Sequence, residues 1–165
     1  MSGDSSSQTA VYLQARLAIV RDDLDEILGK LTQEKMNFAP KEGMRTVAGQ
    51  LVEIAESELQ ILAGMMAAKI VTDREAEQTF GDCNSLENLK TVLVETRRKT
   101  LEYLNSLSEA DLQEKISFHA KWFTSLSLEE VPRAEVFCSI AQHEWYHVGQ
   151  LVSYCWAMGD NPYEW

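Results

Sequence analysis

The sequence predicts an all-α protein, a four-helix bundle with a covering loop or small hairpin before its last helix. Three observations carry that prediction. Helix breakers are scarce, with 8 Gly and 3 Pro in 165 residues. Apolar residues recur at helical spacing over four long stretches. The breaks between them fall at turn-forming clusters.

The first helix is expected from about Thr9 to Leu31, where Val11, Leu13, Leu17, Val20, Leu24, Ile27, Leu28 and Leu31 build a broad apolar stripe. Pro40, Gly43 and the KEGM segment interrupt the pattern. Thr46 then caps a second helix, with Val47, Leu51, Ile54, Ile61, Leu62 and Met65 on one arc, ending near Lys69 to Thr72. Gly81 to Asn84 reads as a loop. Ser85 caps a third helix carrying Leu86, Leu89, Val92, Leu93, Thr96, Leu101 and Leu104, and Ser108 nucleates a short turn after it. Between Ile116 and Leu128 the residues Ile116, Phe118, Ala120 and Trp122 alternate like a short strand. Pro132 suits the first position of a fourth helix, whose inner row is Val136, Ile140, His143, His147, Leu151, Tyr154 and Met158, with Gly159 ending it. The domain is expected at 9–165, behind a disordered N-terminal tail at 1–8.

Composition excludes several functions. The size fits one core, and 26 Asp and Glu against 15 Lys and Arg leave a net charge of -11, which repels nucleic acid and anionic membrane surfaces. No apolar run approaches the roughly 20 residues of a spanning helix, and the first residues lack a signal-peptide pattern, so a cytoplasmic location is expected. Cys83, Cys138 and Cys155 are odd in number and form no CxxC pair; they read as reduced, mostly buried packing residues.

The chemistry centres on the fourth helix. His143 and His147 lie one turn apart on one face, close enough to share a metal ion, and they interrupt an otherwise apolar row. Two polar rings on a buried stripe need partners, which a metal supplies. The segment HEWYH also satisfies the HExxH pattern of zinc proteases, with Glu144 in the general-base position. The surroundings argue against a protease: the metzincin glycine would fall on Gln150, no upstream sheet aligns a peptide, and a gluzincin third ligand would have to come from the extreme C-terminus, where Glu164 is the only candidate. Glu144 and His147 form a single ExxH motif, where a ferritin-like di-iron centre needs two.

A third ligand is expected from the second helix, where Gln50, Glu53, Ser57 and Gln60 flank the apolar arc. Glu53 is the best of these, being an ionised carboxylate. Glu58 falls on the apolar arc itself, so it is either partnered across the bundle or supports the metal site from behind.

The segments RTVAGQLVEIAESE and QHEWYHVGQLVSYCWAMGDNP resemble the DinB-like family, named for damage-inducible bacterial proteins, and the similarity spans the chain after its N-terminal tail. The resemblance implies a four-helix bundle holding a divalent metal through one His on the second helix and an HxxxH pair on the fourth. Members with assigned roles include thiol-dependent S-transferases, an isomerase and hydrolases.

Carried over, the pair becomes His143 and His147, and the remaining His falls on Glu53, with five residues between it and the Thr46–Val47 pair. The set is then two His and one carboxylate, suited to zinc or nickel first, with iron or manganese as further options. The implied substrate is a small molecule or a low-molecular-weight thiol adduct, and the implied assembly a homodimer. Trp122, Phe123, Trp145 and Tyr146 are candidate pocket residues, and His119 and Glu144 candidate acids or bases. The competing expectation is a non-catalytic, stress-associated bundle in which the altered site is structural or vestigial.

Overall fold

The computed structural model describes residues 7–66, 78–118 and 127–163. Helix α1 spans Gln8–Lys30, α2 Val47–Met65, α3 Leu86–Ser106, the short α4 Glu109–Gln113 and α5 Arg133–Ala157. The strands β1, Lys115–Ser117, and β2, Glu130–Pro132, pair antiparallel in the register Ile116↔Val131. The chain is therefore an all-α bundle, with four long helices among the described residues and a two-stranded hairpin just before the last of them. Helix α1 packs on α5, α5 on α2, and α2 on α3.

The helix starts follow local chemistry. Thr46 accepts a hydrogen bond from the Gly49 N–H and Ser85 from that of Asn88, while Ser108 and Asp111 form a reciprocal capping box. Each such cap contributes about 1 kcal/mol. Ser7 plays the same part for α1, accepting from Ala10 N–H. Pro132 lies one position earlier than expected: it closes β2 and occupies the N-cap of α5, with Arg133 the first helical residue. At the other end Gly159, with φ +83°, forms a Schellman turn in which its N–H reaches the Trp156 carbonyl and that of Asp160 the Cys155 carbonyl.

Helix α2 stops at Met65, short of the expected Lys69 to Thr72. Gly64 weakens the last turn as a helix former. The residue also makes room for the hairpin: a Cβ there would lie 2.7 Å from Cε2 of Phe118, whose ring occupies that space.

The core has two apolar halves. One is built around Leu24, Leu51, Leu89 and Leu151, the other around Leu17, Leu62, Leu104 and Phe137. Between them lies an ionic layer to which each long helix contributes one side chain: Arg21, Glu58, Arg97 and Glu144, none more than 9% exposed. Arg21 Nε donates to Glu144 Oε1 at 2.6 Å and Arg97 Nε to Glu58 Oε1 at 2.8 Å. Cross-pairs join Arg21 to Glu58 and Arg97 to Glu144. The remaining donors reach the carbonyls of Leu93 and Leu17 at 2.8 and 2.7 Å. Two cations and two anions cancel, and that full satisfaction is what lets four charges sit on the bundle axis.

None of the three cysteines forms a disulfide. Cys155 is buried, whereas Cys83 and Cys138 are half-buried, so the expected packing role holds fully for Cys155. Burial pushes the thiols of Cys138 and Cys155 above their ordinary range.

Candidate metal centre

The stripe of α2 that faces α5 carries Gln50, Glu53 and Ser57, spaced so that all three meet His143 and His147 one turn apart on α5. One ligand atom each from Glu53, His143 and His147 lie within 4.8 Å of one another. His147 is buried, while Glu53 and His143 are half-buried, so the cluster sits at the edge of the α2–α5 interface with one side toward solvent.

The two imidazoles present Nε2 atoms 3.2 Å apart. Two metal–nitrogen bonds of about 2.0–2.1 Å at a tetrahedral angle separate their nitrogens by about 3.3–3.4 Å. The spacing therefore fits a shared divalent ion.

A chain of hydrogen bonds fixes which nitrogen of His147 is available. The Tyr154 hydroxyl donates to the Arg45 carbonyl at 2.9 Å, so its oxygen accepts from Gln50 Nε2 at 3.1 Å. That turns Gln50 Oε1 toward His147 Nδ1 at 2.5 Å, and this nitrogen must carry the proton. Nε2 keeps its lone pair, and it is the atom facing His143. His143 Nε2 lies 3.4 Å from Ser57 Oγ.

Electrostatics favour the ligand form of both rings. Burial, reinforced by the Arg45 charge, holds His143 below its ordinary pKa. Burial, then His143 and Arg45, bring His147 down to about 4. Both are neutral at pH 7, as metal ligands must be. Glu53 supplies the negative charge, and Arg45 Nη2 pairs with its Oε2 at 2.8 Å.

Glu144, the general-base position of the HExxH pattern, lies elsewhere. Its carboxylate belongs to the ionic layer with Arg21 and Arg97, on the bundle axis. Glu58 is partnered across the bundle in the same layer, which decides between the two expectations for it. Trp145 donates to Asp23 Oδ2 on α1 at 2.7 Å, whereas the exposed Tyr146 sets its ring edge-on to His147, centroids 5.3 Å apart. His119, Trp122, Phe123 and Glu164 lie outside the described residues.

Two participants escape a reading of the sequence. Arg45 lies in the irregular segment before α2, where nothing marks one cation among several as a neighbour of the site. Tyr154 reads as one more member of an apolar row; its only signal is a hydroxyl two turns beyond His147 on the same face. Gln50, which sequence reasoning ranks below Glu53, is only 4% exposed and turns its carbonyl to His147 Nδ1.

No curated protein matches the chain. A family model, that of the DinB superfamily, matches residues 16–151, a span that takes in α2 and α3 whole, most of α1 and α5, and every residue of the cluster. The chain belongs to the DinB superfamily.

Proposed function

We propose that the chain is a metal-dependent enzyme acting on a small molecule, of the thiol S-transferase or hydrolase type, with Glu53, His143 and His147 as its metal ligands. The observation that carries this reading is the convergence of three ligand atoms within 4.8 Å at a half-open helix interface, with His147 already in the tautomer that presents Nε2. A divalent ion held there would act as a Lewis acid and lower the pKa of a water or thiol toward neutrality.

The chain's own residues have separable parts. Gln50 holds the His147 proton at Nδ1, and Tyr154 holds Gln50. Glu53 supplies the charge that offsets part of a dication, and the half-buried side of the cluster leaves an approach for a small substrate. Mixed imidazole and carboxylate donors favour zinc or nickel, with iron or manganese as further options. A homodimer in the cytoplasm is the setting this reading takes, and light scattering after size-exclusion chromatography checks the assembly.

One observation favours the second reading, a non-catalytic bundle with a structural or vestigial site: Arg45 already neutralises Glu53. Elemental analysis of protein purified without a His tag tests the metal centre on which the first reading depends. Binding of about one equivalent of metal, abolished by His143→Ala, supports the metal centre. Less than about a tenth of an equivalent, unchanged after adding zinc, nickel, iron or manganese, would sink it.

A further inference from the structure

Arg45 meets the candidate centre twice, in two different ways. Its carbonyl accepts the Tyr154 hydroxyl at 2.9 Å, and the next residue, Thr46, is the N-cap of α2, accepting the Gly49 N–H at 3.0 Å. The main chain is thereby fixed at the rim of the centre. The side chain is not: it is 57% exposed, and reaches Glu53 Oε2 through one nitrogen at 2.8 Å. A pinned base with a solvated head can change partner at little structural cost.

Charge supplies the reason for it to do so. With both imidazoles neutral, Arg45 and Glu53 sum to zero, and a divalent ion would take the cluster to a net charge of +2. A carboxylate that gives its charge to a dication offers less to a guanidinium, and the two cations repel each other across a few ångströms. The freed guanidinium, planar and with paired donors, suits the paired oxygens of a small oxyanion such as a carboxylate. There is room for one: a pocket of about 370 Å³ adjoins the cluster, lined by Arg45, Gly49, Val52, Glu53, the buried Glu56 and Cys83 among others, so with an ionised Glu56 the loaded site as a whole carries a formal charge of +1.

We infer that Arg45 is the exchangeable counter-charge of this centre: it holds Glu53 in the metal-free chain and passes to the carboxylate of a small-molecule ligand once a divalent cation takes Glu53. The inference rests on the metal-binding reading above and names the class of ligand, a small carboxylate, that the loaded centre would accept. Metal and carboxylate then assist each other through Arg45, and the assistance is reciprocal.

The test is calorimetric titration of zinc into the metal-free full chain, with and without excess acetate at matched ionic strength, for the wild type, Arg45→Gln and Arg45→Lys. Without acetate, Arg45→Gln should bind zinc about tenfold tighter than the wild type, since the competing cation is gone. Arg45→Lys, which keeps the charge, should stay near the wild type. Acetate should tighten zinc binding to the wild type about fivefold and leave Arg45→Gln unchanged.

Zinc binding by Arg45→Gln no tighter than the wild type, or an acetate effect that survives the substitution, overturns the exchange while leaving the metal site standing. Failure of all three proteins to bind zinc removes the metal reading and this inference together. Because Arg45 is largely solvated, the variants should melt with the wild type, and circular dichroism checks that they do.

Discussion

His147 Nδ1 lies 2.5 Å from the side-chain carbonyl of Gln50, and that contact decides which face of the imidazole is left for a metal ion. Gln50 cannot turn its amide around without setting its NH₂ against a ring N–H and losing the Tyr154 hydroxyl. His147 is thus oriented without any ion, which would remove part of the ordering entropy from metal binding.

Gln50→Leu keeps the volume and removes the acceptor. Zinc affinity should fall about 10- to 100-fold, the usual cost of losing a group that orients a ligating histidine. Tyr154→Phe should cost less, because Gln50 retains His147. A competition titration with a chromophoric chelator measures both, and a Gln50→Leu affinity equal to the wild type would show that His147 is oriented by something else.

Glu144 should matter for folding and not for metal binding. Glu144→Ala leaves Arg21 and Arg97 short of a buried partner, and breaking such a pair costs about 3–5 kcal/mol. For a chain of this size that corresponds to a melting temperature lower by roughly 10 °C. Zinc affinity of the folded variant, measured well below its melting point, should stay within about twofold of the wild type, since additivity holds for sites that share no partner. A large loss of affinity with normal stability would return Glu144 to the site.

Glu53→His would place a third imidazole where a carboxylate now stands. The variant should still bind cobalt, with visible absorption bands altered by the exchange of oxygen for nitrogen in the donor set, whereas Glu53→Ala should weaken binding. Cobalt spectra identical in the wild type and Glu53→His would show that residue 53 does not ligate.

The pH dependence of the metal-free chain tests the burial of the histidine pair. His147 titrates at about 4 when folded and near 6.5 when unfolded, so the unfolded chain takes its proton first. The stability tied to the neutral ring is present above about pH 6.5 and is lost as pH falls toward 4. Melting temperatures should therefore decline between pH 7 and 5, and His147→Gln should flatten that decline. Glu109 acts in a lower window: its hydrogen bonds from Ser7, Thr9 and Gln113 hold it at about 2, so its contribution disappears only between about pH 4.5 and 2. A decline unchanged in His147→Gln would assign it to other groups.

Much of this architecture is written locally. Thr46, Ser85 and Ser108 are caps whose partners lie three residues away, and Gly159 satisfies a turn set by its own backbone, so periodicity and capping chemistry suffice to find them. The stripe of Gln50, Glu53 and Ser57 is legible for the same reason, since helical spacing alone puts the three on one row. Glu144 is where such reading misleads. The HExxH spacing is satisfied, yet position 144 points along the bundle axis into two arginines, and His143 is pushed to the edge of the helix interface.

The sequence by itself determined the fold class, the caps at Thr46, Ser85 and Ser108, and Glu53, His143 and His147 as candidate ligands, because each follows from spacing along its own helix plus the chemistry of the side chains. Only the tertiary structure decided the rest: that Glu58 and Glu144 are spent on Arg21 and Arg97, that Gln50 and Tyr154 fix the tautomer of His147, and that Arg45 holds Glu53. The physical reason is separation along the chain. These contacts join residues on different helices, and their geometry depends on how the helices are rotated and set in depth against one another, which no local pattern encodes.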